Sequence, residues 1–250
     1  MNRIRLLAGA GLVTLLVSLV SLIPAHVALA ILGVPADTVS GVAGTVWRGS
    51  LQRLAFDSIM LGPVSWQVRP SRLLLGQLAA NVEATLPDGF VNTGVALSLG
   101  GSLSFTDLKG AAPVAWLAPA AGRDGGQLAA RFERLDLKDD RINTAIGTLQ
   151  VAGVVLPIPT AGPRPAPGTY AITFDSRDLA PEALLSGEVT DSGGPLEVSG
   201  TVTFTPPRSY AVSGTAKPRP EAPPELRTAL QMMGPANPQG AHALALSGSF

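Results

Sequence analysis

The chain has 250 residues, and its 18 Lys and Arg residues balance 18 Asp and Glu residues, so the formal net charge is +0. This balance, without any basic block, excludes sequence-independent nucleic-acid binding as the main activity. The chain has no cysteine, which excludes disulfides and thiolate metal sites, so its hydrophobic core must hold the fold.

The first feature along the chain is an apolar stretch from Leu6 to Leu32, which follows Arg3 and Arg5. A bilayer core about 30 Å thick needs about 20 mostly apolar residues, and the stretch supplies them before Pro24. It therefore predicts one transmembrane helix. Because basic residues precede the span and the acidic Asp37 follows it, we expect a cytoplasmic N-terminus and a translocated remainder.

A cleaved signal peptide is the alternative for this stretch, since Ala28-Leu29-Ala30 fits the small-x-small cleavage pattern. Cleavable apolar cores run about 7 to 15 residues, so the greater length here favours a retained anchor. We assign residues 1–33 to a cytoplasmic head and transmembrane anchor and residues 34–250 to a periplasmic β domain. An alternative divides that domain into halves, 34–120 and 121–250.

The rest of the chain is predicted to be mainly β. Its 28 glycines and 22 prolines punctuate short runs of alternating apolar residues, which is typical of strands joined by turns. A change of phase between Phe132 and Leu135 indicates a bulge. The expected strands cover residues 40–50, 51–57, 64–68, 77–86, 90–99, 102–108, 128–137, 142–152, 169–176, 196–204, 209–216 and 241–250.

Two segments are predicted to be helical or turn-like. Residues 70–76 are expected to form a turn or one helical turn docked by three leucines. Residues 223–233 are expected to form a helix, because Pro224 lies early, Glu225 in the first turn and Gly234 beyond the end. Together these patterns predict one transmembrane helix followed by a large, mostly antiparallel twisted sheet, groove or sandwich with one or two short helices.

No constellation of catalytic residues is recognisable in the sequence. The two histidines, His26 and His242, are far apart along the chain, and the common hydrolase, metalloprotease and phosphate-loop motifs do not occur. Asp136, Asp139 and Asp140 could supply oxygen ligands to calcium, but interleaved basic residues favour a solvated hairpin end. The sequence therefore predicts no enzyme, no cofactor and no metal site.

Three residues are candidate partner contacts. Trp47 and Trp66 are large aromatic residues of the kind that anchor interfaces, although core positions would explain them equally. Val198 lies in the most regular alternating strand. The edges of a sheet that does not close would also offer unpaired backbone groups to a strand of another protein.

Several motifs occur in a characteristic order along the chain. They are Gly44-Thr45-Val46-Trp47-Arg48-Gly49, Trp66 with Pro70 and Leu73-Leu74-Leu75-Gly76, the segment 193–200, Tyr210 with Ser213-Gly214, and an ending with Gly234, Gly240 and residues 244–248. In this order the sequence resembles the type II secretion system protein N family, also called general secretion pathway protein N. One departure is the tryptophan expected after Gly147, where Gln150 and Val151 stand instead.

The resemblance implies a single-pass inner-membrane protein of Gram-negative bacteria with a periplasmic β domain. Its role would be a non-enzymatic, accessory one in the machine that moves folded proteins across the outer membrane, with other secretion subunits as partners. The family is also distantly similar to AsmA-like proteins, so a lipid-handling module is the alternative function. The two differ in whether alternating side chains, Tyr170, Ile172, Phe174, Leu196, Val198 and Phe204, meet a second sheet or line an open groove.

Overall fold

The computed structural model describes residues 22–31, 33–35, 37–56, 59–116, 126–139, 141–154, 168–180, 183–205, 209–232 and 234–249. These residues form two compact units, the first ending at Leu99 and the second beginning at Gly100. Most of the predicted anchor and the alternative boundary at residue 120 lie outside the described residues, so both stay predictions. Within the described ranges, no helix combines the length and apolarity needed to cross a membrane.

The first unit contains a short helix, a main antiparallel sheet and a smaller one. Helix α1 spans Ala25–Ile31. The smaller sheet has the order β1-β4-β5, and the strands of the main sheet that belong to this unit follow the order β2-β3-β6-β7-β8. The strands are β1 (Val39–Ser40), β2 (Ala43–Gly44), β3 (Arg48–Leu51), β4 (Arg53–Phe56), β5 (Ile59–Leu61), β6 (Val64–Val68), β7 (Gln77–Leu86) and β8 (Gly89–Ser98).

The prediction of one strand over residues 40–50 is wrong. A turn separates β2 from β3, because the Thr45 N–H donates back to the Arg48 carbonyl at 2.9 Å. Gly44 adopts a φ of 88°, which favours glycine and lets the chain turn there. The glycines that made this segment look like a weak strand therefore interrupt it.

Residues 70–75 form a 3₁₀ helix, Pro70–Leu75, between β6 and β7, which confirms the predicted helical turn. Proline at its start is favourable, and Gly76 ends it with a φ of 68°. The expectation that three leucines dock this turn is wrong. Leu73, Leu74 and Leu75 are 42%, 90% and 70% exposed, so the helix presents them to its surroundings.

The second unit is built on eight antiparallel strands in sequential order, β9 to β16, among its described residues. A short 3₁₀ helix, Val114–Trp116, follows β9, and helix α2, Pro224–Met232, lies between β15 and β16. The strands are β9 (Leu103–Pro113), β10 (Gln127–Lys138), β11 (Arg141–Val154), β12 (Gly168–Ser176), β13 (Leu185–Asp191), β14 (Leu196–Thr205), β15 (Ser209–Pro218) and β16 (His242–Ser249). The prediction of a mainly β, largely antiparallel fold with few helices is confirmed.

The predicted bulge in β10 is also confirmed. The pairing of β10 with β11 shifts between Phe132 and Arg134, which leaves Glu133 as the extra residue. An extra residue moves every later side chain to the opposite face, which explains the change of phase in the sequence. Strand β13 was not predicted, because its apolar residues are separated by Gly187 and by polar side chains.

Two apolar clusters form the core of the second unit. One lies where α2 covers β14 and β15, and it consists of Leu196, Ala216, Ala222, Leu226 and Leu230. The other lies on β11 to β13 around the buried residues Ala145, Phe174 and Leu185. The rings of Phe132 and Phe174 are 5.7 Å apart, and those of Phe174 and Phe204 are 6.1 Å apart. Because all described strands of this unit belong to one sheet, these side chains pack on each other and on α2 or loop residues, and the described part of the unit contains no second sheet.

Candidate functional site

Trp66 makes its contacts inside the first unit. Its indole Nε1–H donates to the Val46 carbonyl at 3.1 Å. It stands directly opposite Gly49 in the pairing of β3 with β6. A Cβ atom on Gly49 would lie 2.8 Å from Cε2 of Trp66, so the ring fills the space that a side chain at position 49 would need. Trp66 is half-buried, and these contacts hold one side of its ring within its own unit.

The other two candidate partner contacts, Trp47 and Val198, are half-buried like Trp66. The Trp47 carbonyl accepts a hydrogen bond from Val68 N–H at 2.7 Å. Val198 packs against the cluster under α2, and its N–H donates to Asp191 Oδ1 at 2.9 Å. Trp66 and Val198 belong to different units. A role of Trp47, Trp66 and Val198 in partner binding stays a prediction.

A polar centre in the second unit was not anticipated from the sequence. Asp191, at the end of β13, pairs with Arg219 Nη2 at 2.5 Å and also accepts hydrogen bonds from the N–H groups of Gly193 and Val198. Arg219 in turn donates to the Gly194 carbonyl at 2.9 Å. The pair therefore joins the turn between β13 and β14 to the segment that leads into α2. Two opposite charges 28 residues apart leave no local signal in a sequence.

The packing around Asp191 shifts the pKa values of two side chains, Asp191 and Tyr170. Burial by itself would raise the pKa of Asp191, but the hydrogen bonds from Val198, Arg219 and Gly193 outweigh it and lower that pKa below its ordinary value. Burial, together with the nearby Asp191 carboxylate, raises the pKa of the Tyr170 hydroxyl, and Arg219 opposes this shift. Tyr170 therefore stays neutral beside the ion pair. Its buried hydroxyl has no hydrogen-bond partner among the described residues.

The histidine and aspartate candidates for metal binding have other roles. His242 is buried, and its Nδ1 lies 2.8 Å from the Gly234 carbonyl, so Nδ1 carries the proton and donates it. Asp136 pairs with Arg134 at 2.6 Å. Asp139 occupies the turn with a φ of 50°, whereas Asp140 lies outside the described residues. In the described part of the chain, no three His, Cys, Asp or Glu residues are grouped so that they could hold a metal ion.

The outer edge of β16 is an open sheet edge among the described residues of the second unit. Strand β16 is the last strand of its sheet, and within the described residues it pairs on one side only, with β15. Its sequence, HALALSGS, contains neither lysine nor proline, the residues that commonly protect sheet edges. Leu246 is 53% exposed there. This edge can accept an added strand from another protein.

Comparison with known families shows to which family the chain belongs. The family model described as type II secretion system (T2SS), protein N, matches residues 36–245. The chain belongs to this family. The expected resemblance is thereby confirmed over the β-rich part of the sequence.

Individual relatives agree with this assignment. The type II secretion system protein N of Aeromonas hydrophila is 27% identical over 256 residues, which cover 97% of both chains. The protein of the same name from Vibrio cholerae serotype O1 is 27% identical over 90% of both chains. The one from Pectobacterium carotovorum subsp. carotovorum is 23% identical over 84% of this chain and 83% of its own. No solved structure matches the chain.

Proposed function

We propose that this chain is a non-enzymatic component of the type II secretion system, anchored in the inner membrane, whose periplasmic β domain assists protein export across the outer membrane. The observation that carries the proposal is the family match over residues 36–245. Relatives covered almost end to end bear the name of the same secretion protein. The apolar stretch from Leu6 to Ile23, preceded by two arginines, supports the anchor and its orientation.

The fold supports a role in which the chain acts by binding another protein. The ion pair of Asp191 and Arg219 joins the end of β13 to the segment before α2, so it holds the second unit together. By contrast, β16 is an eight-residue strand whose outer side offers backbone groups at the edge of the sheet. Addition of a partner strand there would provide main-chain hydrogen bonds with little rearrangement. We therefore place the contact with another secretion subunit at this edge.

In-cell photocrosslinking tests the proposal. A photoreactive amino acid at Leu246, on the exposed edge, should trap other secretion subunits in intact cells. The matched control is the same amino acid at Glu188, which is exposed on a central strand and faces away from any edge. Secretion subunits recovered from position 246 and not from 188 would support the proposal. Equal recovery from both positions, or from neither, would contradict the edge contact.

A lipid-handling module is the second candidate function, and one observation favours it. The half-buried rings of Phe132 and Phe204 flank Phe174 on a single sheet, and the described part of their own unit contains no second sheet. Such a face suits acyl chains. Purified full-length protein should then retain phospholipid detectable by mass spectrometry, and Phe204→Asp should lose it. Lipid content that is unchanged in Phe204→Asp would refute this function.

A further inference from the structure

One end of the first unit carries a concentration of exposed leucines. The leucine cluster comprises residues on the 3₁₀ helix, at the start of β7 and at the end of β8. Leu74 is 90% exposed and Leu99 is 91% exposed. Leu99 leans over Gly76, since a Cβ atom there would meet its Cδ1 at 2.9 Å, and Leu78 pairs directly with Leu97. The members are Leu73, Leu74, Leu75, Leu78, Leu97 and Leu99.

The apolar N-terminal stretch enters the first unit at this same end. The Ile23 carbonyl accepts a hydrogen bond from Val46 N–H at 2.9 Å, and the carbonyl of the next residue, Trp47, accepts one from Val68 N–H at 2.7 Å. Val68 ends β6, and the 3₁₀ helix begins two residues later. The last residue of the stretch from Leu6 to Ile23 is thus tied to the end of the sheet that holds the leucine cluster. With that stretch in a membrane, as proposed above, the bilayer surface would lie near the leucine cluster.

The charges around the leucine cluster favour a negatively charged surface. Arg69 and Arg72 flank it, and no acidic residue occurs between residues 59 and 82. Both guanidinium groups bond to neutral amide oxygens, Arg69 to Asn81 at 2.6 Å and Arg72 to Gln77 at 3.4 Å. These bonds leave the positive charge uncancelled. The acidic Asp88 lies at the turn between β7 and β8, at the opposite end of that hairpin.

This composition fits lipid better than a protein surface. Protein interfaces are centred on tryptophan, tyrosine and arginine, and leucine is under-represented among their strongest contacts. Exposed leucines with basic flanks are typical of segments that lie in the membrane interface. We propose that the leucine cluster inserts into the surface of an anionic phospholipid bilayer, with Arg69 and Arg72 contacting lipid phosphates. The cluster would then fix the height and orientation of the first unit above the membrane.

Site-specific fluorescence tests this proposal on the full chain. The chain has no cysteine, so Leu74→Cys and Leu99→Cys can each be labelled alone with an environment-sensitive dye. Asp88→Cys is the matched control at the far end of the same hairpin. After reconstitution into vesicles of phosphatidylethanolamine and phosphatidylglycerol, nitroxide-labelled lipids should quench the dyes at 74 and 99. Their depth should be about 5–10 Å into the interface, and the dye at 88 should respond only to an aqueous quencher.

Two outcomes would overturn the proposal. One is equal aqueous quenching at positions 74 and 88 in these vesicles. The other is protection of position 74 in detergent that depends on protein concentration, which would show a second copy covering the cluster. Replacing phosphatidylglycerol by phosphatidylcholine should weaken quenching by lipid at 74 if the arginines act as stated. Because protein secretion is measured separately, failure here leaves the proposed secretion function standing.

Discussion

Removing the carboxylate of Asp191 is the sharpest test of how the second unit is held together. The side chain of Asp191 is 6% exposed and that of Arg219 is 30% exposed. Asp191→Ala would leave the N–H groups of Gly193 and Val198 without an acceptor and Arg219 without its counter-ion. Breaking a buried ion pair from one side costs about 3–5 kcal/mol, and water can reach part of Arg219, so we expect about 3 kcal/mol.

The chain offers a matched control for this substitution. Asp175 and Arg177 also form an ion pair, at 3.2 Å, but both side chains are 71% exposed. Asp175→Ala should therefore change the free energy of unfolding by no more than the error of the measurement. Urea titration of the full chain in detergent, followed by circular dichroism, measures both variants. A double-mutant cycle of Asp191→Asn with Arg219→Gln should give a coupling of about 1–3 kcal/mol.

One result would refute this reasoning. If Asp191→Ala and Asp175→Ala lowered the free energy of unfolding equally, burial of the Asp191 pair would contribute nothing. The turn between β13 and β14 would then be held by its backbone hydrogen bonds alone.

Three further predictions follow from the same packing. Because the pKa of Asp191 is lowered in the folded state, the carboxylate stabilises the fold fully above the ordinary pKa of 3.8, and this effect is lost as the pH falls through the lowered pKa. The free energies of unfolding of the wild type and Asp191→Asn should therefore converge on acid titration. Gly200→Ala should lower the free energy of unfolding by about 1–3 kcal/mol, since its Cβ would lie 2.8 Å from Gly214 Cα on β15. A Gly200→Ala variant as stable as Ser213→Ala would disprove this. Leu226→Ala, in the cluster under α2, should lower the free energy of unfolding by about 2–4 kcal/mol. Met232 is 83% exposed, so Met232→Ala should change it very little. Equal losses in the two variants would show that α2 does not cover the sheet.

The strands that the sequence predicted best are those with one buried face. Strand β14 alternates apolar and polar residues, and pairs with β15 across the prolines at 206 and 207 as expected. The bulge at Glu133 was visible because a one-residue insertion reverses the alternation. In such strands apolar and polar residues alternate in the sequence, because every second side chain is buried.

Features that depend on contacts far apart in the chain were not predictable. The turn between β2 and β3 depends on Gly44 and on a hydrogen bond from Val46 to Ile23. The Asp191–Arg219 pair joins residues whose neighbours in sequence are unremarkable. The exposure of Leu74 is the clearest case, because an apolar run predicts burial, and only the fold shows that nothing in its own unit covers it.

Protein secretion in a bacterium that lacks its own protein N relative tests the central claim most directly. The wild-type chain should restore release of a type II substrate into the medium, and so should Thr201→Lys, on the exposed face of β14. Leu246→Lys, which places a charge on the β16 edge, should fail to restore it while accumulating to the same level. Full secretion without the chain, or with Leu246→Lys, would contradict the account.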